Sequence, residues 1–154
     1  MRLQPSSPAR LALLAIACVL FAFATVEAQA KDLKFEAQLI WATTSETSPD
    51  PEQKPVDEET RKTLSQLPLK WKNYFLVKKV PFTLPEGGSR EVTLSEKCKI
   101  SVKDIDGKNF EVALIGKGEP VLKRTQKLLK DKSLVLGGNA PDSTGWLVVL
   151  KRVE

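Results

Sequence analysis

Hydrophobic and polar positions alternate with a period of two through most of the chain after residue 30. From Leu33 to Trp41, the residues Leu33, Phe35, Ala37, Leu39 and Trp41 share one face, with Lys34, Glu36 and Gln38 opposite, which is the pattern of a half-buried strand. The period returns in shorter runs at Trp71 to Val80, Phe82 to Leu84, Arg90 to Glu96, Cys98 to Ile105, Asn109 to Lys117, Leu134 to Leu136 and Trp146 to Val153. Turn residues separate these runs at Glu86-Gly87-Gly88, Asp106-Gly107, Gly116-Lys117-Gly118 and Gly137-Gly138-Asn139. The stretch 121–130 reads two ways: Val121, Lys123 and Thr125 alternate as in a strand, while Leu122, Gln126 and Leu129 fall near helical spacing. Strand is the choice its neighbours favour. The sum predicts an all-β fold, an antiparallel β-sandwich that is immunoglobulin-like in outline.

One segment breaks the period. Residues 43–55 are rich in Ser, Thr, Pro and acid, and Pro49, Pro51 and Pro55 work against regular pairing, so a surface loop is expected. Asp57-Glu58-Glu59 then supplies an N-cap and two first-turn carboxylates for a short helix to about Leu67, stopped by Pro68, with Leu64 and Leu67 as its buried contacts. The expected organisation is a single sandwich domain over 31–154, with 43–70 as a loop-plus-short-helix insertion.

The first thirty residues have a different character. Arg2 and Arg10 precede an apolar run from Leu11 to Val26, and Ala28-Gln29-Ala30 forms a small-x-small site, so residues 1–30 read as a cleavable signal peptide that leaves Lys31 first. A retained anchor is disfavoured because the apolar run is shorter than the ~20 residues a spanning helix needs and the polar Glu27 and the small-residue site follow immediately, so no transmembrane segment is expected after cleavage. A lipoprotein box at Ala15-Ile16-Ala17-Cys18 lacks its Leu, and the apolar run continues past the cysteine. With Cys18 removed, Cys98 stands alone and no internal disulfide can form, which argues against disulfide-stapled animal modules and for a secreted or periplasmic bacterial protein.

The runs KFEAQLIWAT, SPDPEQKPVDEE and LKWKNYFLV, with LVLGG and GWLVVLKRV near the end, resemble short exported proteins of unassigned function from verrucomicrobial and related bacteria. The resemblance implies a lineage and carries no activity or site residue with it.

The chain has no histidine, which removes Ser-His-Asp and Cys-His arrangements, the usual zinc sites and the commonest neutral-pH general base. Carboxylate-only catalysis would have to draw on Asp104, Asp106, Glu111 and Glu119. Asp104 to Asn109 superficially resembles a calcium loop but lacks the further donors such a loop needs, and a hairpin turned by Asp106-Gly107 is the expected structure. No glycine-rich phosphate loop follows a strand, so neither a nucleotide nor any other cofactor is expected.

Charge supplies the remaining candidates. The net charge is +5. Lys97, Lys99 and Lys103 alternate with Cys98, Ile100 and Val102, which places the thiol in the core and the lysines outside. Lys123, Arg124 and Lys127 could extend them into an anion-binding face; a merely solvated, aggregation-deterring face is the plainer reading. The acidic stretch Glu46 to Glu59 would then be either a cover for that face or a docking arm. Trp71 and Tyr74 are candidates for a sugar or partner contact, against packing roles in the core. The expected function is an exported, non-catalytic binding or structural module of the cell envelope. Its partner would be an anionic envelope component or an envelope protein, and specific nucleic-acid binding is not expected. The alternatives are an accessory subunit of a secretion or pilus-type assembly and a small carboxylate-dependent enzyme.

Overall fold

The computed structural model describes residues 31–154; the expected signal peptide over 1–30, with its cleavage site and Cys18, lies outside them. The described elements are β1 (Leu33–Thr43), β2 (Lys54–Pro55), α1 (Glu58–Ser65), β3 (Asn73–Leu84), β4 (Ser89–Ser95), β5 (Cys98–Asp104), β6 (Asn109–Gly116), β7 (Glu119–Lys127), β8 (Ser133–Asn139) and β9 (Gly145–Arg152). They form two antiparallel sheets, one ordered β2-β3-β1-β9-β8 and the other a β4-β5-β6-β7 meander. The sandwich expected from the alternation is what the chain forms.

The principal core lies between the sheets. Leu33, Phe35, Ala37 and Leu39 of β1 face Ile100 and Val102 of β5 and Phe110, Val112 and Leu114 of β6, with Val148 and Leu150 of β9 beside them. Phe35 stacks on Phe82 with ring centroids 5.5 Å apart and meets Phe110 edge-on at 5.3 Å.

A second core lies on the other side of the first sheet. Ile40 and Ala42 reverse the polarity of β1's outer face, and with Leu147 and Val149 of β9 they make an apolar surface that needs a cover. Segment 44–72 supplies it, burying Val56, Leu64 and Trp71 there beside Tyr74 of β3. The Asp57 carboxylate caps α1 by accepting from the Thr60 amide at 2.7 Å, and the Thr60 hydroxyl donates to the buried Gln38 side chain at 3.2 Å. That cap, helped by Lys79 and Lys151, holds Asp57 below the usual carboxylate range. Its contribution is therefore complete above the unfolded value of 3.8 and is lost as pH falls from there through the lower folded value. Asp57→Ala should cost about 1 kcal/mol at neutral pH, and Asp57→Asn, which keeps a capping oxygen but does not titrate, should flatten the acid limb of the melting-temperature profile. Superimposable acid limbs for wild type and Asp57→Asn would contradict the capping assignment.

Several details differ from the pattern reading. Lys54–Pro55 does pair, briefly, with Leu76 and Phe75. The two runs either side of Pro81 are one strand, because beyond β2 the outer edge of β3 has no neighbour to miss the absent proline N–H. Gly137-Gly138-Asn139 is not a turn but the end of β8; a side chain at Gly137 would strike the Trp146 carbonyl and Leu147, and the chain reverses at 140–144 instead. The ambiguous stretch 121–130 is strand to Lys127, and Leu128 tucks into the principal core.

Candidate functional site

Three irregularities fall at one end of the sandwich. The β1–β3 ladder skips Val77, the β4–β5 ladder skips Leu94 and the β6–β7 ladder skips Val121. Each is a β-bulge, which bends its strand and re-aims side chains. Two of the three bulged residues, Val77 and Val121, line a cleft of about 530 Å³ where the sheets part. That volume lies within the ~300–1,000 Å³ span of small-molecule sites.

Leu39, Trp41 and Trp146 form one wall of the cleft, with Cys98 and Val121 opposite. Trp41 and Trp146 are register partners on β1 and β9, and both indoles are half-buried. Cys98 is 8% exposed and burial pushes its thiol up, so at neutral pH it is a protonated, apolar part of the lining. The mouth is polar: Lys97, Lys117 and Gln53 border it. The turn holding Lys97 is tied to the one holding Lys117, whose N–H donates to the Lys97 carbonyl at 3.0 Å. Lys117 (φ 51°) and Gly118 (φ 82°) are the central pair of a two-residue hairpin turn that needs positive φ at both positions. A lysine at the first of them is conformationally unfavourable, where Asn, Asp or Gly would be at ease.

The predicted basic face is only partly assembled. Lys99 and Lys103 of β5 and Lys123 and Lys127 of β7 share the outer face of the meander sheet. Two of these meet acids there, Lys99 with Glu91 at 3.2 Å and Lys123 with Glu111 at 3.0 Å. Lys97 sits instead in the β4–β5 turn at the cleft. Arg124 lies opposite Val112 in the register and so points to the other side of the sheet. The acidic stretch does not cover this face. It lies across the molecule on the first sheet, where Glu59 binds Lys151 at 2.6 Å and Asp57 approaches Lys79 at 3.9 Å.

Trp71 and Tyr74 are buried in the second core, 7% and 8% exposed. The Trp71 indole N–H donates to the Ser143 carbonyl at 3.0 Å and the Tyr74 hydroxyl to the Trp71 carbonyl at 3.0 Å, so neither ring is presented as a sugar platform.

The four candidate carboxylates do not converge. Asp104 is buried and accepts from the Gly87 amide at 2.8 Å and the Gly107 amide at 2.6 Å, joining two turns. Asp106 accepts from the amides of Lys108 and Asn109, which holds it below the usual carboxylate range. Glu111 faces Lys123, and Glu119 begins β7 at the opposite end of the sheet from Asp104. Among the described residues no three His, Cys, Asp or Glu side chains gather to hold a metal ion, and no helix is long and apolar enough to cross a membrane.

Fold and site together define a two-sheet antiparallel β-sandwich with an apolar cleft at one end. Compared with protein-family models, curated proteins and solved structures, the chain has no match.

Proposed function

We propose that the chain is an exported, non-catalytic binding module of the bacterial cell envelope whose cleft takes an amphipathic anion, an apolar chain ending in a carboxylate. The observation that carries this reading is the pairing of an apolar cleft, walled by Trp41, Trp146, Val77 and Val121, with two lysines at its mouth. Apolar walls with a few placed polar groups are what small-molecule sites consist of. The exposed acids of the same turns, Glu96 and Glu119, are not among the lining residues. Keeping Lys117 in an unfavourable backbone region at this spot is consistent with a role for its charge.

The test uses the mature protein, expected to begin at Lys31, titrated with cis-parinaric acid and, as a neutral control, a long-chain alcohol. Energy transfer from the cleft tryptophans should report binding of the acid. Val121→Asp places a charge at an exposed bulge position and should weaken it about tenfold or more, since burying an unpaired carboxylate against the chain costs more than the ~1.4 kcal/mol that a factor of ten represents. Lys117→Asn should stabilise the turn while weakening the acid, so stability and affinity should move in opposite directions. Bound acid should also slow thiol labelling of Cys98. Absence of energy transfer, or affinity unchanged from wild type in both variants, would overturn the reading.

A further inference from the structure

Val121 apart, the cleft leaves one large feature of the fold without a role. Strand β7 is nine residues long, and every one of them is exposed, on both faces of the strand. It is the last strand of its sheet, bonded to β6 alone. The Leu128 amide donates to the Lys108 carbonyl at 2.9 Å. Bonded and non-bonded pairs alternate along an antiparallel ladder, so Leu122, Arg124 and Gln126 direct their backbone groups at β6. Lys123, Thr125 and Lys127 direct theirs outward, where no strand takes them up.

The free edge is cationic. Lys123 and Lys127 stand on the outer face and Arg124 on the inner, followed by Lys130 and Lys132. Leu122, 39% exposed, provides an apolar contact on the inner side. These charges disfavour one obvious occupant. A second copy paired antiparallel about Thr125 would set Lys123 opposite Lys127 twice, and like charges directly opposed destabilise a strand pair. An acidic strand meets no such opposition.

We propose that the free edge of β7 docks an extended acidic segment of a partner protein, added antiparallel as a fifth strand of the meander sheet. In the docked register the partner's residues facing Lys123 and Lys127 are acidic and the one facing Leu122 is apolar. Backbone pairing supplies the affinity and these side chains the selectivity, as in strand addition generally.

The probe is a synthetic peptide of alternating Glu and Val, compared with its Lys-Val counterpart and with polyglutamate, a polyanion without strand preference. At low salt the Glu-Val peptide should bind and slow exchange of the Lys123, Thr125 and Lys127 amides, leaving Leu122, Arg124 and Gln126 unchanged. Thr125→Pro removes only an outward N–H, which an edge strand tolerates, and should weaken the Glu-Val peptide about tenfold or more with the melting temperature retained. Lys127→Glu, at an exposed position, should weaken the Glu-Val peptide and favour the Lys-Val one, and it keeps the proposal testable should the proline variant fold poorly. Equal binding of polyglutamate and the Glu-Val peptide, undiminished affinity in Thr125→Pro, or a wild-type dimer whose exchange protection falls on these same three amides would overturn it.

Discussion

Replacing Phe110 with alanine should destabilise the protein by about 3–5 kcal/mol, a large share of the ~5–15 kcal/mol that holds a domain of this size together. Phe110 is fully buried on β6 and meets Phe35 edge-on, so the substitution removes both apolar burial and an aromatic pair. The ring also carries the Arg152 guanidinium 5.5 Å from its centroid. Arg152 in turn donates to the carbonyls of Gly107 and Leu128, at 2.8 and 3.1 Å, tying the β5–β6 turn and the end of β7 to β9 across the sandwich. Emptying the space beneath Arg152 therefore loosens a link between sheets as well as leaving a cavity. Urea titration should show a lower midpoint with an unchanged slope, and Phe110→Leu, which keeps most of the volume, should recover more than half of the loss. A cost for Phe110→Ala of less than about 1 kcal/mol would mean the two sheets are not packed through this ring.

Much of this architecture is legible in the residue pattern, because a half-buried strand writes its two faces into alternate positions. Leu33 to Leu39 and Cys98 to Val102 declare the inner faces of β1 and β5 directly. The second core is legible as well, in a less obvious way: Ile40 and Ala42 are apolar on the face where Lys34 and Glu36 are polar, which requires a cover over that half of β1. The cleft is harder to read, because a bulge shifts the period by one residue and looks like noise in a strict alternation. In β3, Phe75 and Phe82 both pair with inner-face residues of β1, Trp41 and Phe35, although one number is odd and the other even. That change of parity is the trace of Val77.

The basic face failed as a unit for a different reason. Alternation correctly turns Lys99 and Lys103 outward, and the same rule applied to β7 separates Arg124 from Lys123 and Lys127. Which acids sit beside the lysines depends on inter-strand register, and that is set by turn lengths and bulges rather than by either strand's own sequence. Glu91 and Glu111 are therefore invisible as partners until the strands are paired. Composition misleads in a similar way at Gly137-Gly138, which has the residues of a turn but is strand, and where the backbone of β9 approaches Gly137 too closely for a side chain.

A second close approach yields the other large effect. Trp71→Ala should cost about 3–5 kcal/mol, because the indole is 7% exposed and forms much of the second core. The space it occupies exists only because residue 145 is glycine: a Cβ there would overlap the ring at Cζ2 and Cη2 and lie 2.7 Å from Cε2. The ring cannot simply move aside, since its N–H is bonded to the Ser143 carbonyl and its neighbours Leu64 and Tyr74 are buried against the same surface. Gly145→Ala should therefore cost about 1–3 kcal/mol in the wild-type background, as overpacking of a filled core does. With Trp71 already cut back to alanine, the new methyl enters vacated space and the same substitution should be close to neutral. The two changes share one contact, so their effects should fail to add by about 1–3 kcal/mol in a double-mutant cycle followed by urea denaturation. Additive costs would mean that Trp71 and Gly145 do not touch, and that segment 44–72 covers the first sheet in some other arrangement.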